Sequence, residues 1–386
     1  MASRSRRCRS PLAGLRVQRQ TRRPMTDQKA IRGTFKWGQQ VWPATAIGAA
    51  EFRRTQAKRA KWLAEVAEVW LRWCRKDEPG MVVQTSGTTG IPKRMEHSRA
   101  AVLASVEDTL KHWDLGAGTR ALLALPTSFV AGQAMIVRSL VGAWELEIIE
   151  PSSAPSWNGE KDFVALTPHQ ARGWIAQGSG TTVKLLLGGG PVSKSLLGML
   201  LDSKRVEDVW ESYGLSETLT HVAARKLQTI DDLQSPFQPL PGVTIETNEE
   251  GCAVIHAPSR NVTLETRDCI EELPTGGFLW LGRADDIINS GGVLVHPAEV
   301  ERAFETFMPA WVSDWAAFGR ADDTLGEAVV LRLAGTAPEG VDGEGVLDEW
   351  REKLKALLGS AKTPRTLEWG ELPRTERGKL QRRLLT

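Results

Sequence analysis

Met81-Val-Val-Gln84 leads into Thr85-Ser-Gly-Thr-Thr-Gly-Ile-Pro-Lys93, and the residues that follow, Ser98 to Trp113, carry apolar side chains at helical spacing. The order is therefore a short β-prone run, a glycine- and hydroxyl-rich loop, and a helix. Gly87 and Gly90 free the backbone to turn N–H groups inward. Thr85, Ser86, Thr88 and Thr89 add hydroxyl donors and Lys93 adds a cation, so the loop is equipped to hold a polyphosphate. A plain turn is the competing reading. The loop is not a Walker A sequence, because Ile91 and Pro92 separate Gly90 from Lys93 and Arg94 follows the lysine.

The same alternation continues on the carboxyl side. Strands are expected at Arg120–Leu125, Glu145–Ile149, Phe163–Leu166 and Val183–Leu187. Helices are expected at Gly132–Val141 and Thr167–Gln177, and another is capped near Ser193. Pro151 to Gly159 reads as a polar linker. Strands alternating with helices imply a parallel α/β sheet. Upstream, Trp62, Leu63, Val66, Val69, Trp70 and Trp73 fall on one face of a single amphipathic helix expected over Phe52–Lys76, with its tryptophans in the core. Near Gly242 the pattern turns to β-hairpins: Val243–Thr247 and Cys252–His256 flank Asn248-Glu-Glu-Gly251, and Gly276-Gly277 separates two further β-prone runs. Beyond Arg283 come a helix at Pro297–Phe307, a strand at Glu327–Leu333, an acidic loop around Gly340 to Gly345, and a helix at Val346–Leu358. The fold class is thus α/β: a large N-terminal α/β domain with parallel sheets and a β-rich subdomain, plus a small mobile C-terminal α+β domain. The expected divisions are 1–24, 25–284 and 285–386.

The 386 residues suffice for two or three domains with a sizeable core, and 41% hydrophobic with 25% charged residues is an ordinary globular composition. Four scattered cysteines and six dispersed histidines offer neither a zinc site nor a disulfide framework, and a reducing, cytoplasmic setting fits them. Apolar runs are strand-length, far from the roughly 20 residues that cross a bilayer. Residues 1–24 hold eight arginines and no acid. They read as a nucleic-acid arm, a transit-like leader, or a disordered or untranslated stretch with translation starting at Met25; the last is preferred. Without those arginines the formal charge goes from +2 to −6, so the body makes no electrostatic case for nucleic acid.

The loop Thr85–Lys93 resembles the phosphate-binding sequence of the acyl-adenylate-forming enzymes, the superfamily of acyl-CoA ligases, luciferases and adenylation domains, and five further segments match that superfamily in order. Gly188-Gly-Gly-Pro191 ends an apolar strand, where Gly189 and Gly190 leave bare backbone for a flat ligand. Tyr213-Gly214-Leu-Ser216-Glu217 resembles Y-G-x-T-E, and Tyr213 is the chain's single tyrosine beside fifteen tryptophans. The resemblance implies that Tyr213 stacks on adenine, that Ser216 meets the α-phosphate, and that Glu217 holds Mg²⁺. Thr266-Arg-Asp268 is similar to T-G-D, with Asp268 toward the ribose and arginine in place of glycine. Gly282-Arg283-Ala-Asp285 through Ser290-Gly291-Gly292 implies a ribose contact at Arg283, a hinge at Asp285 and a passage for CoA along Ser290, Gly291 and Gly292; Asn289 stands where many members carry lysine. Pro373 to Lys379 resembles P-x-T-x-x-G-K, whose lysine is the catalytic cation.

The resemblance implies an ATP-dependent acid–thiol ligase using ATP, Mg²⁺ and CoA, with a small carboxylic acid as its other partner and a homodimer as an open option. Leu125 to Leu140, including Phe129 and Arg138, looks like the matching stretch of short bacterial o-succinylbenzoate:CoA ligases of menaquinone biosynthesis. Arg138 is a candidate clamp for a second carboxylate; a surface helix arginine is the alternative. Phe129 occupies a position where many members have histidine. A ligase for another aryl or medium-chain acid, a carrier-loading adenylation enzyme and an inactive nucleotide-binding protein are the other functional readings. The amino-terminal portion is shorter than in typical members of the superfamily.

Overall fold

The computed structural model describes residues 33–75, 80–84, 94–274, 276–309, 311–336, 338–374 and 380–385. Residues 1–24, the loop Thr85–Lys93 and Lys379 lie outside them.

Among the described residues the main sheet has nine strands. In chain order its members are β1 (Thr34–Trp37), β2 (Gln40–Pro43), β5 (Arg120–Leu123), β6 (Glu145–Ile148), β7 (Glu160–Leu166), β8 (Thr181–Leu187), β9 (Val206–Gly214), β10 (His221–Leu227) and β11 (Gln238–Pro239). Between β2 and β5 lie α1 (Ala46–Gln56), α2 (Lys61–Cys74), a two-stranded hairpin of β3 (Met81–Gln84) and β4 (Arg94–His97), and α3 (Arg99–His112). The spatial order is β11-β10-β9-β8-β7-β5-β6-β1-β2. The run from β9 to β1 is parallel, and antiparallel pairs close both edges. The crossovers are α4 (Val130–Gly142), α5 (Pro168–Gln177) and α6 (Lys194–Ser203).

Because side chains alternate across a strand, a sheet covered on both faces reads as unbroken apolar runs, and β5 and β7 show why. Ala121, Leu123, Phe163 and Ala165 join the core beneath α1 to α4, whereas Leu122, Val164 and Leu166 join the core beneath α5 and α6. The helix starts follow local chemistry. Ser98 and Ser193 cap α3 and α6, and Thr167 forms a reciprocal capping box with Gln170 ahead of Pro168.

The single helix expected over Phe52–Lys76 is instead two, α1 and α2, broken at residues 57–60. Arg53 to Lys61 offers no large apolar side chain to carry the buried stripe through, and Thr55 donates back to the Glu51 carbonyl at 2.8 Å. The two helices pack as a pair, with Phe52 and Trp70 both fully buried and in ring contact. The hairpin β1–β2 was not anticipated. It turns on Gly38-Gln39 and seats Phe35 against Trp70, with ring centroids 4.1 Å apart.

The β-rich portion is a four-stranded antiparallel meander, β12 (Thr244–Thr247), β13 (Cys252–Ala257), β14 (Val262–Glu272) and β15 (Phe278–Arg283). Its core takes in Tyr213 and Val222 from the main sheet. The last sheet holds β16 (Ile288–Ser290), β17 (Val293–Val295), β18 (Val312–Asp322), β19 (Gly326–Gly335) and β20 (Thr366–Trp369), packed on α7 (Pro297–Glu305) and α8 (Gly345–Leu358). Strand β18 was also unforeseen. Its Ala-, Gly- and Asp-rich sequence has little β-propensity, and its pairing with β19 supplies what propensity does not. No helix among the described residues is long and apolar enough to cross a membrane.

Candidate active site

Strands β8 and β9 end side by side, and the loops at their carboxyl ends begin the site. Gly188 follows β8 so closely beneath β9 that a Cβ there would lie 2.7 Å from Ser212 Oγ, whose hydroxyl donates to the Leu187 carbonyl. Gly189 and Gly190 are exposed bare backbone. The far end of this loop is held by Glu211, a buried carboxylate that accepts from the Val192 N–H at 3.0 Å and pairs with Arg225 at 2.6 Å.

Tyr213 is buried at the tip of β9, edge-on to Phe278, and its hydroxyl donates to Asp268 Oδ2 at 2.9 Å. Burial raises the phenol pKa, and the neighbouring Asp268 carboxylate raises it further. Asp268, itself 5% exposed, also accepts from Arg283 at 3.2 Å. Burial pushes its carboxyl pKa up, against the opposing pull of Tyr213 and Arg283. These bonds leave acceptor capacity on the carboxylate for hydroxyls of a ligand. Gly214 is required by close approach, since a Cβ would sit 2.5 Å from the Thr220 carbonyl oxygen.

Ser216 is half-buried and Glu217 exposed. His97, the last residue of β4, donates through Nε2 to the Ser216 carbonyl at 2.8 Å. Burial holds the imidazole below its ordinary pKa, so it is neutral at pH 7 and its proton sits on the nitrogen facing the carbonyl. This bond links the strand that leaves the Thr85–Lys93 loop to the Ser216–Glu217 turn. A single exposed carboxylate suits Mg²⁺, which is held by one or two carboxylates together with substrate phosphates and water.

Arg283 continues to Asp285 at 3.0 Å, and Asp285 also meets Arg267 at 3.2 Å. Partial burial works to raise the Asp285 carboxyl pKa, but the two guanidinium partners outweigh it and hold the group below its usual range. Ser290, Gly291 and Gly292 belong to the hairpin of β16 and β17. Gly291 and Gly292 have φ of +60° and +85°, the conformation of a two-residue hairpin turn, and Asn289 closes that turn by accepting from the Gly292 N–H at 3.1 Å.

Arg138 is not on the surface. It is 3% exposed on α4; its Nη1 reaches only the Met135 sulfur at 3.7 Å, and its Nε has no hydrogen-bond partner. No carboxylate pairs with it among the described residues. Burial, reinforced by the nearby Arg260 guanidinium, lowers its pKa to about 9, and burial followed by the guanidiniums of Arg138 and Arg260 holds His221 well below its ordinary value. His221 faces Gly214 across the β9–β10 ladder. Phe129, half-buried, stands at the N-cap of α4.

Three positioning groups escaped the sequence reading: His97, Glu211 and Arg260. The guanidinium of Arg260 is fully buried; it pairs with Asp108 at 3.0 Å and donates to the carbonyls of Thr218 and His221, pinning the turn after Glu217. Isolated residues of this kind carry no spacing pattern, because their partners lie 14 to 152 residues away.

The AMP-binding enzyme family matches residues 28–254. A probable 2-succinylbenzoate–CoA ligase of Mycobacterium tuberculosis is 30% identical over 346 residues, 80% of this chain and 84% of that protein. An acyl-CoA synthetase (AMP-forming)/AMP-acid ligase II-like protein of Dyadobacter fermentans is 28% identical with a TM-score of 0.55, covering 87% of this chain and 96% of the other. The o-succinylbenzoate CoA synthetase of Bacillus subtilis, solved with the acyl-adenylate OSB-AMP, shares the fold at 20% identity and a TM-score of 0.68, over 81% of this chain and 70% of that one. The chain belongs to the AMP-binding enzyme family and is an adenylate-forming acid–CoA ligase.

Proposed function

We propose that the acid this ligase activates is a dicarboxylate of the 2-succinylbenzoate type. The observation that carries the reading is Arg138, a buried cation without a carboxylate partner among the described residues. An unpaired buried charge is costly, and a substrate whose second carboxylate stays ionised would supply the missing partner in bidentate form. The name of the M. tuberculosis relative supports the same acid.

In this reading the Thr85–Gly90 loop and Lys93 hold the β- and γ-phosphates of ATP, and Gly189, Gly190 and Tyr213 border the adenine. Asp268 and Arg283 receive the ribose hydroxyls, and Ser216 meets the α-phosphate. Mg²⁺, carried on Glu217 and the phosphates, would neutralise charge on the polyphosphate. Attack of the acid's carboxylate oxygen on the α-phosphate displaces pyrophosphate, and Lys379 steadies the negative charge that gathers there. The CoA thiol then attacks the acyl carbon, AMP leaves, and the small lobe from residue 285 onward turns about Asp285 to exchange Lys379 for the Ser290–Gly292 hairpin. The thiol chemistry belongs to a reducing cytoplasm, and the described cysteines, Cys74, Cys252 and Cys269, are all free.

The test compares Arg138→Ala with the unaltered enzyme on 2-succinylbenzoate and on a monocarboxylic aryl acid. KM for 2-succinylbenzoate should rise on the order of 10²-fold or more, the equivalent of roughly 3–5 kcal/mol for a broken buried pair, while the monocarboxylate is barely affected. Parallel losses on both acids would make Arg138 structural.

A further inference from the structure

The arginine that replaces glycine in Thr266-Arg267-Asp268 has a specific position. On β14 its neighbours Thr266 and Asp268 point inward and Arg267 points out, where Nη1 meets Glu250 at 2.9 Å and Nε meets Asp285 at 3.2 Å. Glu250 belongs to the turn between β12 and β13. Asp285 belongs to the short helical turn Ala284–Asp286 that leads from β15 into the last sheet.

The partners of Asp285 differ in what they can do. Arg283 is two residues away, at the end of β15 where Asp268 holds it at 3.2 Å, so that pair is local and constrains the segment little beyond the chain itself. Arg267 is eighteen residues away on another strand, and among the described residues it is the long-range partner of Asp285. A glycine at 267 has no side chain to make this tie. Asp286, next along, is instead held by Arg382 at 3.5 Å, from the carboxyl-terminal side. The crossing segment is thus gripped from the meander through Asp285 and from the carboxyl-terminal region through Asp286.

We propose that Arg267 is a positioning residue that fastens the crossing segment to the meander through Asp285 and thereby sets the balance between the two half-reactions. The second clause rests on Asp285 being the pivot. The tie is exposed and ionic, so its effect is modest and salt-sensitive: about two- to fivefold at low ionic strength, and smaller at high.

The experiment uses the full-length chain with Arg267→Gln and Arg267→Gly, and reads amide hydrogen exchange over residues 284–288 alongside the rates of pyrophosphate exchange and of thioester formation from supplied acyl-adenylate. The expected result is faster exchange in both variants at low salt, convergence with the unaltered protein at 0.5 M NaCl on the order of a 4 Å Debye length, and a ratio of half-reaction rates shifted twofold or so. Arg267→Lys should restore part of the protection. Unchanged exchange at residues 284–288 overturns the proposal. Faster exchange with an unaltered rate ratio upholds the fastening and overturns its link to turnover; if Asp285→Pro then also turns over normally, it is the pivot assignment that has failed.

Discussion

Two buried arginines, Arg138 and Arg260, sit near each other, and they are opposites in design. Arg260 has a carboxylate and two carbonyls; Arg138 has a thioether. A basic group whose folded pKa, about 9, lies well below its ordinary value binds fewer protons folded than unfolded between the two. The penalty is therefore present in full below about pH 9 and is relieved as pH rises beyond it. At pH 7.5 Arg138→Met should accordingly stabilise the ligand-free protein by roughly 1–4 kcal/mol, read from urea unfolding. Adding 2-succinylbenzoate should stabilise the unaltered protein more than the variant, because only a ligand that pairs with the cation recovers the penalty. A less stable variant would mean that the guanidinium serves the packing of α4. Residues of this kind were only half legible. Arg138 stood out beside an apolar helix run, whereas its burial and its lack of a partner required the folded neighbours.

The elements that build the site differ in how much of their structure is local. β8 was readable from an apolar run ended by glycines, since a strand buried on both faces needs that composition wherever it occurs, whereas β9, with charged residues among its apolar ones, was not foreseen. The Gly276-Gly277 turn between β14 and β15 was equally plain. The break between α1 and α2 was not, because the stripe of apolar residues on α2 is what periodicity detects, and the polar stretch before it is compatible with a continued helix until Phe52 and Trp70 have to meet. At this scale the segment Ala284–Asp286 carries a prediction. Its backbone is a single helical turn, and proline fixes φ near −65°. Asp285→Pro should leave adenylation, measured as pyrophosphate exchange, and slow thioester formation by on the order of tenfold, since the second step needs the turn to change. Normal overall turnover would remove Asp285 from that role.

For the whole molecule, α7 meets the rest of the chain on two fronts. Arg302 donates to the Trp280 carbonyl at 3.2 Å, and Glu305 lies at the Lys194 N–H that begins α6. Burial, opposed by that N–H, lifts the Glu305 carboxyl to about 7; Glu301, Arg302 and Lys194 are the charged groups around it. A carboxyl raised above its unfolded value contributes stability that is complete below about pH 4.5 and lost as pH rises through 7. The unaltered protein should therefore lose thermal stability relative to Glu305→Gln between pH 5 and 8. If the two proteins keep a constant difference in Tm across that range, the contact between α7 and α6 is not titrating.

By itself the sequence carried much of the alternation of strand and helix, which depends on period and turn chemistry within short windows, and the six ordered segments that resemble the adenylate-forming enzymes, whose match marks Tyr213, Glu217, Asp268 and Arg283 as candidates. Tertiary structure alone decided that β1 joins the main sheet beside β6, that the weakly β-prone residues of β18 pair along nearly all of β19, and that Arg138 has no counter-charge among the described residues. It also decided that Arg267 ties the meander to Asp285, and that His97 and Arg260 hold the turn around Glu217. Each of those facts is a contact between residues distant in the chain. No local window contains both partners, so their energy is settled only when burial has removed water as the competing partner.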